Sequence, residues 1–474
     1  MAYFKTAKFF LIISVLAVAV VTVSTLFPFI VGKYTWFRTT VDLALISFLL
    51  GLVLSPEAEI YEKKFIKLLK SPLAIAVSIF VLAVILASLF GVDPSFSFWS
   101  NFERGEGGLQ LLHLLIFFWL LIMLFHDDKD WRKIFWSSII TGLLMTAYGA
   151  GAGLKYIDQA ANGSFFQSFK DFIGPSFSQP GFRFDGSIGN SSYVGAYAIF
   201  ILFYLAMLFI GNRSKKKLSF ENFALAGLGA IFLAVLYLAA TRGAFLGFVV
   251  AIVAFLGYFI YVHQAWRKRL LVGVTLFVLV VGLFIKFQDT PFVKSLPASR
   301  IFTISLDANT FKTRALMWQI AWDGFKARPI FGWGPENFIQ VFDRRFNTAY
   351  FTPSQGFGAW FDRAHSIYFD YLVETGAFGF LSFLSIFTIF FIQLYKKTKT
   401  NLRENNQLKK NNNHNEKELT NQKYLSSELA LLFAVLIAYL VQGIVLFDVL
   451  PIYINLFLVL ALATYKLKEN TYQN

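Results

Sequence analysis

The chain has 474 residues, 57% of them hydrophobic and only 15% charged, with a formal net charge of +15 and no cysteine. A soluble globular chain carries roughly 25% charged and about 45–50% apolar residues, so lipid is the main solvent here and a soluble enzyme is excluded. Without cysteine there are no disulfides, thiolate metal ligands or cysteine nucleophiles.

Apolar windows of about 17–25 residues can cross a bilayer as helices. They fall at 9–31, 37–54, 72–91, 109–126, 134–153, 193–211, 223–240, 243–262, 269–286, 366–395, 427–447 and 450–465. The expected fold is an all-α, polytopic integral membrane protein of about twelve spans with a large helical external loop. The first window follows Lys5 and Lys8 and ends in Phe27-Pro28-Phe29-Ile30. It lacks the short apolar core and small-residue cleavage site of a secretory signal, and reads as a retained helix.

Basic residues set the orientation. With the N-terminus inside, Lys63-Lys64, Lys67, Lys70, Lys129, Arg132-Lys133, Arg213, Lys215 to Lys217 and Arg267 to Arg269 all fall in internal connections. An even number of spans returns the C-terminus inside, beside Lys466 and Lys468. The positive charge is therefore assigned to the cytoplasmic side of the membrane, with membrane lipids and not nucleic acid as its partner. Two external connections, 154–192 and 287–365, exceed simple turns. The polar stretch 396–426 is cytoplasmic, and with no internal repeat or Gly/Ser linker, residues 1–474 read as a single membrane domain.

Ionisable groups near membrane depth are costly and mark candidate sites. In chain order the first candidate is Arg183-Phe184-Asp185-Gly186, followed by Asn190, in a compact Gly- and Asn-rich turn. Thr241-Arg242-Gly243 then forms a tight hairpin. A lone interfacial Arg commonly snorkels to headgroups, but Ala239, Ala240, Ala244 and Gly247 are the small flanks that draw helix backbones together. In the large loop, Leu316, Ile320, Ala321 and Phe325 recur at helical spacing. They predict an amphipathic surface helix opened by Arg314 and stopped by the Gly332-Trp333-Gly334-Pro335 turn, just before Asn337.

The last candidate run is Arg363 to Gly376, where His365 stands at the membrane edge as a long span begins. An isolated interfacial His is more often structural than catalytic. Glu374, nine residues on, would lie about 13 Å deeper and on the opposite helical face. It is expected to be a buried structural partner for another helix.

If Arg242, Arg314 and His365 converge, two guanidiniums suit a pyrophosphate and a neutral imidazole suits deprotonation of a hydroxyl. That combination describes group transfer from a lipid pyrophosphate. It needs no cofactor, and no Asp-x-Asp or acidic pair in an external loop offers a divalent metal site.

At these residues the chain resembles the O-antigen ligase and polymerase family of bacterial envelope proteins. The match runs through Thr241-Arg242-Gly243-Ala244-Phe245-Leu246-Gly247, Arg314 and Trp318, Pro329 with Gly332-Trp333-Gly334 and Asn337-Phe338, and His365-Ser366 with Leu372-Val373-Glu374-Thr375-Gly376 and Gly379. It covers roughly 223–390, and Arg183 to Asn190 looks like the family's upstream loop. Thr241 departs from the Ser of many relatives, a change of one hydroxyl for another.

The resemblance implies transfer of a glycan from an undecaprenyl-pyrophosphate carrier to lipid A–core or another envelope acceptor. O-antigen or capsular polymerisation and protein O-glycosylation are the alternatives. It implies Arg242 and Arg314 as functional arginines and His365 as general base. Arg183, Asn190, Asn337 and Arg363 are candidate substrate contacts, with Glu374, Gly332 and Gly334 in support. A transporter is the rival reading; it would show internal symmetry and polar groups near the bilayer midplane.

Overall fold

The computed structural model describes residues 2–161, 183–212, 219–262, 267–296, 299–302, 309–346, 360–410 and 416–468. Parts of the expected long connections 154–192, 287–365 and 396–426 lie outside them.

All regular elements among the described residues are helical. In chain order they are α1 (Ala2–Ser14), α2 (Val31–Leu54), α3 (Ala58–Leu68), α4 (Pro72–Phe90), α5 (Pro94–Trp99), α6 (Gly108–Leu124), α7 (Asp128–Ala161), α8 (Ser191–Gly211) and α9 (Phe220–Leu238). After them come α10 (Arg242–Val262), α11 (Arg267–Lys286), α12 (Pro291–Ser295), α13 (Asn309–Ala327), α14 (Phe338–Arg344), α15 (Ile367–Lys410), α16 (Glu416–Gln442) and α17 (Leu450–Lys466). Ten described segments are long and apolar enough to cross a membrane, and α6 and α17 are shorter apolar helices at expected span positions. The chain is an all-α, multi-pass membrane protein.

The first span differs from expectation. Its helix starts at Ala2, narrows to a 3₁₀ turn over Val15–Ala19 and stops, so residues 20–30 are not helical. The ended helix leaves carbonyls without intrahelical donors. Lys33, buried at the start of α2, supplies a donor: its Nζ lies 2.9 Å from the Val18 oxygen and 2.6 Å from that of Val20.

The chain divides into two compact units. One comprises Met1–Ile134, Ser305–Phe390 and Gly443–Tyr465. In it α1 packs on α2, α6 packs against α2 and α4, and α13 packs on α14. Every residue of α17 from Leu450 to Thr464 is buried, as expected of a helix that is apolar all round.

The other unit comprises Phe135–Ile304, Phe391–Gln442 and Lys466–Asn474. There α10 packs on α16, and α8 packs on α9 and α16. Small residues permit the close approach: a Cβ on Gly247 would come 2.9 Å from the Ala438 carbonyl oxygen. By contrast α11 has no buried residue, which suits a helix surrounded by lipid.

Candidate functional site

In the first unit, residues 360–366 lead into α15, which begins at Ile367. His365 therefore precedes the helix and has φ +60°, a left-handed conformation uncommon for a non-glycine residue. Its ring is held edge-on between Phe361 and Phe447, with centroids 5.2 and 5.1 Å away. Nδ1 lies 3.1 Å from the Arg363 carbonyl oxygen. A carbonyl only accepts, so Nδ1 carries the proton and the lone pair of the neutral ring sits on Nε2. Burial depresses the imidazole pKa against the opposing Arg363 carbonyl contact, and the positive charge of Arg314 lowers it further. The His365 ring is thus biased toward its neutral form.

Arg314 lies more than a turn inside α13, which starts at Asn309, earlier than the expected opening at Arg314. Met317, Ile320 and Ala321 bury one face of this helix against Trp333, Phe338, Val341, Phe342, Ala364 and Val373. Trp318, four residues beyond Arg314 and so on the same stripe, stacks on Phe369 at 5.4 Å and 11°. Beside this pair is an open apolar groove of about 520 Å³, lined by Trp318, Trp322, Tyr368, Phe369, Leu372 and Phe380 among others.

The helix ends at Ala327, before Arg328-Pro329 and ahead of the expected Gly-Trp-Gly stop. Proline disfavours helical conformation in the residue before it. The Gly-Trp-Gly run instead lies backbone to backbone against α15. Trp333 N–H donates to the Val373 oxygen (3.0 Å), Gly334 N–H to that of Glu374 (2.8 Å), and Ala377 N–H to that of Pro329 (2.8 Å). The approach needs Gly332 at φ +70° and a kink in α15 at Gly376, φ +64°.

Asn337 is fully buried, donating to Ser97 Oγ (2.6 Å) and the Trp333 oxygen (3.1 Å) and accepting from Gln340 (3.1 Å). These bonds make it a tether between α5 and the turn.

Arg363 is also buried, and its neighbours are carboxylates. Nη2 is 2.5 Å from Glu336 and 3.4 Å from Glu106, and Nη1 is 2.7 Å from Glu374. Glu374 accepts the Glu336 N–H at 3.2 Å, and Glu106 accepts the Leu450 N–H at 3.1 Å. The partners of Glu374 are thus a loop arginine and a turn amide. The helix starts after His365, so nine residues of helical geometry do not separate it from Glu374.

Burial raises the Glu106 carboxyl to about 8 in spite of Arg363, while the three glutamates outweigh burial and keep Arg363 charged. Next to this cluster, Arg104 bonds Asp362 at 2.6 Å. Glu106 and Glu336 were not singled out as candidates from the sequence. Among the described residues, no group of three or more His, Asp or Glu side chains is placed to hold a metal ion.

In the second unit, Ala240 turns the hairpin with φ +50° and Arg242 is the first residue of α10. Thr241 is buried, and a Cβ on Gly195 would come 2.6 Å from its Oγ1 and 2.9 Å from Ala244 Cβ. The Arg183 stretch meets this hairpin: Phe184 N–H donates to the Leu238 oxygen at 3.0 Å. Arg183 Nη2 donates to Ser192 Oγ at 3.2 Å, and the Asn190 side chain caps α8 by accepting the Ser192 N–H at 2.9 Å. The structure therefore gathers Arg183, Asn190 and Arg242 in one unit, and Arg314, Asn337, Arg363, His365 and Glu374 in the other.

No curated protein matches the chain. Residues 227–384 match the family model described as O-antigen ligase. That stretch contains the Arg242 hairpin, Arg314, the glycine turn and His365, so over these residues the chain is similar to the O-antigen ligase family.

Proposed function

We propose that this protein transfers a glycan from an undecaprenyl-pyrophosphate carrier to an envelope acceptor at the external face of the bacterial inner membrane. The acceptor hydroxyl gives its proton to His365 Nε2 as its oxygen attacks the anomeric carbon. The bond from that carbon to the diphosphate breaks, and the diphosphate leaves with the electron pair. Arg314 meets its charge with a planar, bidentate donor, and neither a nucleotide nor a divalent cation takes part. The groove beside Trp318, one turn along α13 from Arg314, suits the isoprenoid part of the carrier. The positive-inside pattern supports the orientation, with both termini cytoplasmic.

The observation that carries this reading is the placement of His365 inside the family-matched stretch, with Nδ1 3.1 Å from the Arg363 oxygen and with burial and Arg314 both acting to lower its pKa. The test supplies the full chain in proteoliposomes with an undecaprenyl-pyrophosphate glycan and candidate acceptors, in EDTA and without nucleotide. Arg314→Ala and His365→Ala should abolish release of undecaprenyl pyrophosphate while the proteins stay folded. Unchanged turnover in both variants defeats the assignment.

A further inference from the structure

The left-handed backbone at His365 is unfavourable for an L residue, so something must hold it there. The peptide N–H groups on either side of it converge on one side chain. Ala364 N–H donates to Asp370 Oδ1 at 2.7 Å and Ser366 N–H to Asp370 Oδ2 at 3.2 Å. Asp370 is 5% exposed, and its own N–H donates to the Ser366 oxygen at 2.8 Å. The Ile367 N–H points elsewhere, to the Gly443 and Leu446 oxygens at 3.0 and 3.1 Å.

We propose that Asp370 is a positioning residue for the transfer reaction: its carboxylate grips the chain on both sides of His365 and thereby aims Nε2. The inference rests on His365 being the base. A carboxylate is needed because two donors from one strand of chain require two acceptor oxygens on one short side chain. Asparagine keeps one acceptor and turns an amide NH₂ toward the other N–H. Glutamate keeps both oxygens on a longer arm. A plain helix-start stabiliser would also favour an acidic residue in this first turn, and the experiment must separate the two roles.

The test measures donor turnover by the full chain in proteoliposomes for Asp370→Asn, Asp370→Glu, His365→Gly and the double variant His365→Gly/Asp370→Asn, with added imidazole as a diffusible base for the glycine variants. Misplacement of a reacting group by about 1 Å can cost on the order of 100-fold. Asp370→Asn should therefore lose roughly 10- to 100-fold in kcat, with the donor KM and the unfolding temperature little changed. Asp370→Glu should retain more turnover than Asp370→Asn. In the His365→Gly background with imidazole, Asp370→Asn should cost nothing further, because there is no imidazole side chain left to aim.

An equal loss in both backgrounds, or a loss that follows the amount of folded protein, overturns the proposal. If Asp370→Asn does not fold, Asp370→Glu is read by the same criterion. Full activity of His365→Gly without imidazole would refute the base reading itself. An inactive His365→Gly beside a wild-type-like Asp370→Asn removes only Asp370.

Discussion

Glu106→Gln is the perturbation whose magnitude follows most directly from the buried arginine cluster. Arg363 is closest to Glu336 and Glu374, at 2.5 and 2.7 Å, and Glu106 stands third at 3.4 Å. Burial then dominates for Glu106 and raises its carboxyl from 4.5 to about 8. Between those values the folded protein holds a proton that the unfolded chain releases, so stability falls as pH rises. The slope is about 1.4 kcal/mol per pH unit, on the order of 3 kcal/mol between pH 6 and pH 8.

Glutamine keeps the shape and can still accept the Leu450 N–H, but it cannot ionise. The variant should already exceed the wild type at pH 6, and its advantage should widen by on the order of 3 kcal/mol by pH 8, the two converging only toward the ordinary carboxylate value of 4.5. Unfolding of both proteins in nanodiscs, by heat or by denaturing detergent, across pH 5.5–8.5 gives the difference, from which other titrating groups largely cancel. A difference independent of pH, or a variant destabilised throughout, would mean that Glu106 is an ionised partner of Arg363 and would refute the reasoning.

Three further expectations follow from other parts of the molecule. The acid limb of kcat/KM should fall below the ordinary histidine value of 6.5, since burial and Arg314 both depress His365; a pH–rate profile with its limb at or above 6.5 contradicts the neutral-base assignment. Gly376→Ala places a Cβ against the Ile330 carbonyl at φ +64°, ψ −167° and should cost on the order of 3 kcal/mol in an unfolding titration. Arg363→Met strands the buried Glu336 and Glu374 side chains, its two closest partners, and should cost about 3–5 kcal/mol. Arg363→Lys should fall between, since one ammonium cannot fork two carboxylates; equal stability of Lys and wild type would show that the fork is unimportant.

Hydropathy located the spans because crossing a bilayer is a demand on local composition. It misplaced the first one, expected at 9–31, because composition does not report continuity. The break after Ala19 is accommodated by Lys33, whose ammonium reaches back to Val18 and Val20. The candidate residues are legible where their chemistry is local: His365, Arg314 and the Arg242 hairpin each stand out as polar groups at the ends of apolar runs. It was not legible where partners come from far along the chain. Arg363 resembled a substrate arginine because Glu106, 257 positions away in sequence, gives no local sign of being its neighbour. Asp370 did leave a signal, a carboxylate within the apolar run that follows His365, and it was overlooked in favour of Glu374.

The unit that carries His365 is assembled from three separated pieces of chain, the last of them Gly443–Tyr465. Leu450, which supplies the amide held by Glu106, belongs to that final piece. During synthesis the first 134 residues must therefore wait in the bilayer until Gly443–Tyr465 has emerged. Ribosomes that stall before α17 would leave a nascent product with most of its helices inserted and its acidic cluster still open. The acidic cluster around Arg363 therefore closes only once Leu450 has joined it.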